Sequence, residues 1–132
     1  MMYAICYVSD ERKELNKEDL ILLYEQTVYN NYREQITGVL IYKDGSFFQV
    51  LEGEHQIITS LFDKIKKDKR HMNVITLFKR ESDRVFDDYL TGFSIVDNYQ
   101  GLESLRIFLA DKRAVSTTSA CVESIIKSYL KA

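Results

Sequence analysis

The sequence predicts an α+β domain with the element order βαββαββ, followed by two helices. Three observations carry that reading: the period-two alternation of "MYAICYVSD", an Asp44-Gly45 turn between two apolar runs, and an apolar stripe at helical spacing between Glu54 and Lys67.

Strand one comes from the alternation of Tyr3, Ile5 and Tyr7 on one face with Ala4, Cys6 and Val8 on the other, ending at the turn-formers Ser9 and Asp10. Asn16 stands three residues before Asp19, an N-cap with an acidic first turn. Leu20, Leu23, Tyr24 and Val28 follow at helical spacing, so helix one should run to about Asn31. "ITGVLIYK" and "SFFQVLEG" flank Asp44-Gly45 and read as strands two and three of a hairpin. Ile57, Ile58, Leu61, Phe62 and Ile65 set the inner stripe of helix two, with charges opposite. "NVITLFKR" and "YLTGFSIV" read as strands four and five, separated by the polar "ESDRVFDD". After Gly101, Leu102, Leu105 and Leu109, then Val122, Ile125, Ile126, Tyr129 and Leu130, mark two amphipathic helices too short to stand as a domain. The expected organisation is a core over residues 1–97 and a helical extension over 98–132.

At 132 residues and 45% hydrophobic the chain suits one domain with a real core. The 18 Lys and Arg against 20 Asp and Glu leave a net charge of -2, which excludes a long-range field for nucleic acid or anionic lipid. No segment has the ~18 uninterrupted apolar residues of a membrane helix, and the N-terminus has no export signal. Cys6 and Cys121 form no disulfide framework and suit a reducing cytoplasm. The five glycines never cluster, which removes phosphate-binding and dinucleotide loops, and His55 and His71 have no metal-ligand spacing. An acid/base pair could be drawn from Glu52 and Glu54, but acids at a strand end are usually solvated. "DKIKKDKRH" reads as a solvated helix face with local ion pairs to Asp63 and Asp68, and His55 and His71 as surface or structural residues.

What remains is a set of polar side chains at core-facing positions. Gln49 interrupts "FFQVL", Asn30 and Asn31 close helix one, and Tyr7 shares a face with Ile5. A buried amide without partners costs roughly 1–3 kcal/mol, so something should bond Gln49. Singly, each has an ordinary reading: asparagines end helices, a tyrosine fills a core, a strand glutamine faces water. Together they also fit a ligand site for a planar heteroaromatic, and spacing alone leaves both readings open.

"NNYREQITGVLIYKDGSFFQVLEGE", preceded by "ICYVS" and followed by "LFDKIKKDKRH", closely resembles the BLUF family, bacterial sensors of blue light using flavin, over roughly residues 2 to 96. The resemblance implies a ferredoxin-like sheet with two helices on one face and a non-covalent flavin between them, FAD by family habit, with FMN or riboflavin as alternatives. It implies that Tyr7 and Gln49 are the photoactive pair, and that Asn30, Asn31, Lys64 and Asp68 hold the ring, with Lys64 standing where Arg is frequent. Arg70 and His71 match the family's RH and are expected to be structural. In the implied mechanism light draws an electron and a proton from the tyrosine, the pair recombines, and the glutamine is left rotated or tautomerised. The family's W-x-M-G on strand five is here "YLTG", putting Tyr89 and Thr91 at the expected relay positions. No catalytic motif follows the core, so the chain resembles the short members that are not enzymes and signal to a partner protein, often as homo-oligomers. The rival classes are a flavin-free interaction module and an acylphosphatase-like hydrolase. The latter would want an exposed Arg and Asn at a phosphate-binding turn, which the sequence lacks.

Overall fold

The computed structural model describes residues 2–13, 16–86, 93–96, 99–112 and 117–131. The elements are β1 (Met2–Glu11), α1 (Lys17–Arg33), β2 (Thr37–Lys43), β3 (Ser46–Glu54), α2 (His55–Lys67), β4 (His71–Glu81), β5 (Phe93–Val96), α3 (Tyr99–Lys112) and α4 (Thr117–Lys131). One five-stranded sheet has the order β4-β1-β3-β2-β5. β3 is antiparallel to both β1 and β2, so β1 and β2 run parallel with β3 inserted between them. This is the split βαβ arrangement of a ferredoxin-like α+β fold. The chain divides into two compact units, Met1–Ile95 and Val96–Ala132. Within the second, α3 and α4 pack on each other, burying Leu102, Leu105, Leu109, Val122 and Ile126, and the Ser119 hydroxyl donates to the Leu109 carbonyl at 3.0 Å. No described helix is long and apolar enough to cross a membrane.

Local chemistry explains the punctuation. Asn16 caps α1, its side chain accepting from the Asp19 amide at 2.8 Å while Asp19 reaches back to the Asn16 amide, a reciprocal capping box. Asp44 and Gly45 both have positive φ, 51° and 81°, as a type I′ hairpin turn requires. Gly38, at φ 143°, lies where strand β2 crosses β3 so closely that a Cβ would sit 1.9 Å from the Val50 carbonyl oxygen. Only glycine fits there.

Several boundaries differ from the sequence reading, each for a physical reason. Ser9 and Asp10 do not end β1, because Ser9 is buried with a hydroxyl partner on β4. α1 runs two residues past Asn31, to Arg33. Glu54 caps α2 instead of opening it, accepting from the amides of Gln56 and Ile57 at 2.9 and 3.2 Å. β4 begins at His71 and ends at Glu81, paired with β1 beyond both expected ends. Of "YLTGFSIV", residues 93–96 form β5, and Tyr89 and Thr91 lie outside the described residues.

The core on the helix side of the sheet joins Ile5, Tyr7, Leu40, Phe47 and Leu51 to Ile58 and Phe62 of α2, with Leu23 and Tyr24 of α1 packed against them. Val28, grouped with Leu23 in the sequence, faces outward. The helix turns 100° per residue, and the inward line after Leu23 and Tyr24 passes through Thr27 and Asn31. The inner stripe of α1 therefore turns polar over its last two turns. Glu52 also corrects the expectation of a solvated acid: it is 2% exposed, and its carboxylate accepts from the amides of Val85 and Phe86 and from the Thr37 hydroxyl. Burial pushes its pKa up, while those donors and Arg84 pull it back.

Candidate functional site

A cleft of about 260 Å³ lies where the α1 stripe turns polar. Tyr7, Leu40, Phe47 and Gln49 form its floor, Thr27, Asn30 and Asn31 one wall, and Leu61, Lys64 and Ile65 the other. Asp68, Arg70 and His71 close one end. All six residues expected to touch a cofactor, Tyr7, Asn30, Asn31, Gln49, Lys64 and Asp68, thus line one cleft.

Tyr7 and Gln49 meet because register makes them direct cross-strand partners on β1 and β3, and period two points both toward the helices. The Tyr7 hydroxyl donates to Oε1 of Gln49. Both residues are buried. Burial first, then the Asp68 carboxylate and Cys6, push the Tyr7 pKa well above the ordinary phenol range. The phenol therefore keeps its proton, and in this arrangement it donates to the amide oxygen. The two N–H donors of Gln49 belong to the other end of the same amide.

His71 fixes the ring end of the floor. Its Nε2 lies 2.5 Å from the Ile65 carbonyl, which can only accept, so the proton sits on Nε2. Nδ1 then accepts from the Ser9 hydroxyl at 2.8 Å. This ring packs edge-on to Tyr7, with centroids 6.3 Å apart. Asp68 is the C-cap of α2 rather than a residue within the helix, and it grips Arg70 by the backbone amide at 2.9 Å and the guanidinium at 2.6 Å. Those bonds hold the Asp68 carboxyl below the usual carboxylate range. Arg70 also donates to the Gln26 amide oxygen on α1 at 3.2 Å, so it spans the end of the cleft. Arg70 and His71 were expected only as structural residues, and Gln26 and Thr27 were not expected at all. The usable signal for Thr27 was its place one turn before Asn31.

Asn30 and Asn31 differ. Asn30 is exposed at the cleft mouth. Asn31 is 3% exposed, and its Nδ2 is buried with no hydrogen-bond partner among the described residues. An unpaired buried donor costs about 1–3 kcal/mol, and this atom is free to donate to an acceptor placed in the cleft. The donors of Asn31, Gln49 and Lys64 set among Leu40, Phe47, Leu61 and Ile65 suit a flat, largely apolar ring with a carbonyl edge, which is what a flavin presents. The site residues fit that group.

A family model described as sensors of blue-light using FAD matches residues 2–92. The photoactivated adenylate cyclase subunit alpha of Euglena gracilis is 34% identical over 77 residues, 58% of this chain and 8% of that protein. The chain thus spans less than a tenth of that relative's length. The structure of Klebsiella pneumoniae BlrP1 with FMN and cyclic diGMP is similar at a TM-score of 0.73 and 29% identity, covering 96% of this chain and 35% of that one. The ground state of BlsA is similar at a TM-score of 0.64 and 30% identity, covering 81% of this chain and 72% of that one.

Proposed function

The chain belongs to the BLUF family of flavin-based blue-light sensors, and from that premise we propose that Tyr7 and Gln49 form its light-driven switch and that it signals by contact with another protein. The observation that carries this reading is the buried Tyr7–Gln49 hydrogen bond on the floor of the cleft, beside the unpaired amide nitrogen of Asn31. Asn31, Gln49 and Lys64 would bond the ring's polar edge, with Asn30 and Asp68 at the mouth and end. When bound, the flavin supplies blue-light absorption and, once excited, an oxidant strong enough to take an electron from a phenol. Tyr7 is that phenol. Because it is neutral and already points at the amide oxygen, its proton can leave along an existing hydrogen bond as the electron goes. Gln49 answers by turning or tautomerising. When Tyr7 recovers its electron and proton, the tyrosine is unchanged and the amide presents a different pattern of donors and acceptors. One rearranged buried hydrogen bond is worth on the order of 1 kcal/mol, enough to bias a two-state element.

Residues 1–97 serve as the photosensory part and 98–132 as the transmitting extension. The Euglena relative carries a similar module within a photoactivated adenylate cyclase. This chain is read as a non-enzymatic sensor that acts on a downstream protein in the cytoplasm, as a homo-oligomer. FAD is the expected flavin by family description, and the FMN of the Klebsiella structure is its alternative. The two flavins share the ring and differ only beyond it. An absorption spectrum before and after blue light tests the reading, with mass analysis of the released flavin. We expect a yellow protein whose flavin band moves reversibly to the red. A colourless protein that takes up no FAD on refolding overturns it.

Thr91 is the proposed relay, a hydroxyl where the family carries a methionine thioether. Thr91→Val keeps shape and β-branching and deletes the hydroxyl. Flavin binding and the red shift should survive, while the light-dependent change in hydrogen exchange over residues 90–96 and the C-terminal helices should shrink. An unchanged exchange pattern would return the relay to Tyr89 or to no residue of this segment.

A further inference from the structure

Glu52 is a buried acid that the cleft does not use. It sits three residues from Gln49 on the same strand, and alternation turns it to the opposite face of the sheet. Its two oxygens divide the work: Oε2 accepts from the Val85 amide at 2.7 Å, and Oε1 from the Phe86 amide at 3.0 Å and the Thr37 hydroxyl at 2.9 Å. Arg84 completes the arrangement. One arm of its guanidinium donates to the same Thr37 hydroxyl at 2.8 Å, the other to the Gln35 carbonyl at 2.8 Å. Thr37 thus donates to the acid and accepts from the base, using both capacities of one hydroxyl.

Gln35 occupies the turn that ends α1, at a positive φ of 56°, and the next amide, Ile36, donates to the Asn31 carbonyl at 2.8 Å. Residues 84–86 are therefore tied through side chains to both halves of the flavin site. One tie runs through β3 to Gln49, the other through the α1 turn to Asn31. Chain direction gives the third link, since residues 84–86 lie between β4 and β5. A loop needing only to be anchored could bury an aliphatic side chain, which avoids the desolvation cost of a carboxylate. Two consecutive backbone donors converging on one carboxylate instead fix the orientation of the peptide planes, which an aliphatic contact cannot do.

We propose that Glu52 and Arg84 are positioning residues of the light response, coupling displacement of β3 at Gln49 and of the α1 turn at Asn31 to the backbone of residues 84–86. The proposal rests on the sensor reading above. A shift of β3 against the α1 turn changes the distances from Glu52 and Thr37 to Gln35, and the Val85 and Phe86 amides, held by that carboxylate, follow it or lose it.

The test is hydrogen exchange of the Val85 and Phe86 amides in the dark and under blue light, with the absorption shift recorded on the same flavin-loaded sample. In the wild type, light should change the exchange of both amides. Glu52→Gln keeps the shape but replaces one acceptor oxygen by a donor, so the light-minus-dark difference at these amides should fall by about half or more while the red shift stays whole. Arg84→Lys keeps the charge but loses the two-armed geometry, and it should act in the same direction. It also stands in if Glu52→Gln does not fold. A wild type that shifts its absorption with no exchange change at Val85 and Phe86 overturns the proposal, as does a full difference in a folded variant. A wild type that binds flavin without any shift instead overturns the sensor reading, and the coupling with it.

Discussion

Gln49→Leu should purify with flavin bound and show no red shift under blue light. Leucine fills nearly the same volume on the cleft floor, so the apolar walls and the proposed donors Asn31 and Lys64 should still hold the ring. What it lacks is an amide with two distinguishable arrangements, so the chromophore has nothing to report. Tyr7→Phe should give the same null by another route, because phenylalanine has neither the hydroxyl proton nor the easily oxidised phenol. The pair thus separates proton path from electron source. Transient absorption should find fast light-driven electron transfer in Gln49→Leu and none from position 7 in Tyr7→Phe. A full, reversible shift in Tyr7→Phe would move the donor elsewhere, with Tyr89 the first residue to replace.

Asn31→Ala should weaken flavin binding by about 10- to 100-fold, the equivalent of roughly 1.4–2.8 kcal/mol for a buried hydrogen bond. Titration of the flavin-free protein followed by fluorescence quenching measures it directly. The same substitution deletes an amide nitrogen that is buried without a partner, so the flavin-free variant should melt no lower than the flavin-free wild type. Loss of affinity without loss of intrinsic stability marks a residue spent on the ligand. Asn30→Ala, at the exposed mouth, should cost less. A fall in the melting temperature of flavin-free Asn31→Ala would show that the amide supports the helix end instead.

The features most legible in the sequence were those set by local periodicity. Asp44-Gly45 announces its turn because two consecutive positive φ angles demand such residues, and α2 shows its stripe because its outer face is polar throughout. Gln49 was conspicuous because period two forced an amide onto an otherwise apolar face. Glu52 was misread because its partners are backbone amides more than 30 residues away, at Val85 and Phe86, and backbone amides leave no mark in a sequence. Val28 was misread because an apolar residue outside the inner stripe looks like a continuation of it. The exposed Ile21, Leu22, Tyr29 and Tyr32 make α1 apolar on more than one side, which blurs the direction of its buried face. The reach of Arg70 across the cleft to Gln26 left no mark in the sequence, because it depends on how α2 ends.

The polar turn in the inner stripe of α1 also bears on how long a molecule survives in a cell. Over its last two turns that helix offers the interior Thr27 and Asn31 where an ordinary core would have aliphatic chains, and in the proposed site the flavin ring would serve as the missing part of the core. A ligand present at 100 times its dissociation constant adds about 2.7 kcal/mol to the folded state. Changes of that size alter the fraction that proteases can reach. Copies that have not acquired a chromophore would therefore be cleared faster than loaded ones, and the standing population of receptors would follow the supply of the vitamin-derived cofactor. A cell short of flavin would hold few receptors instead of many blind ones.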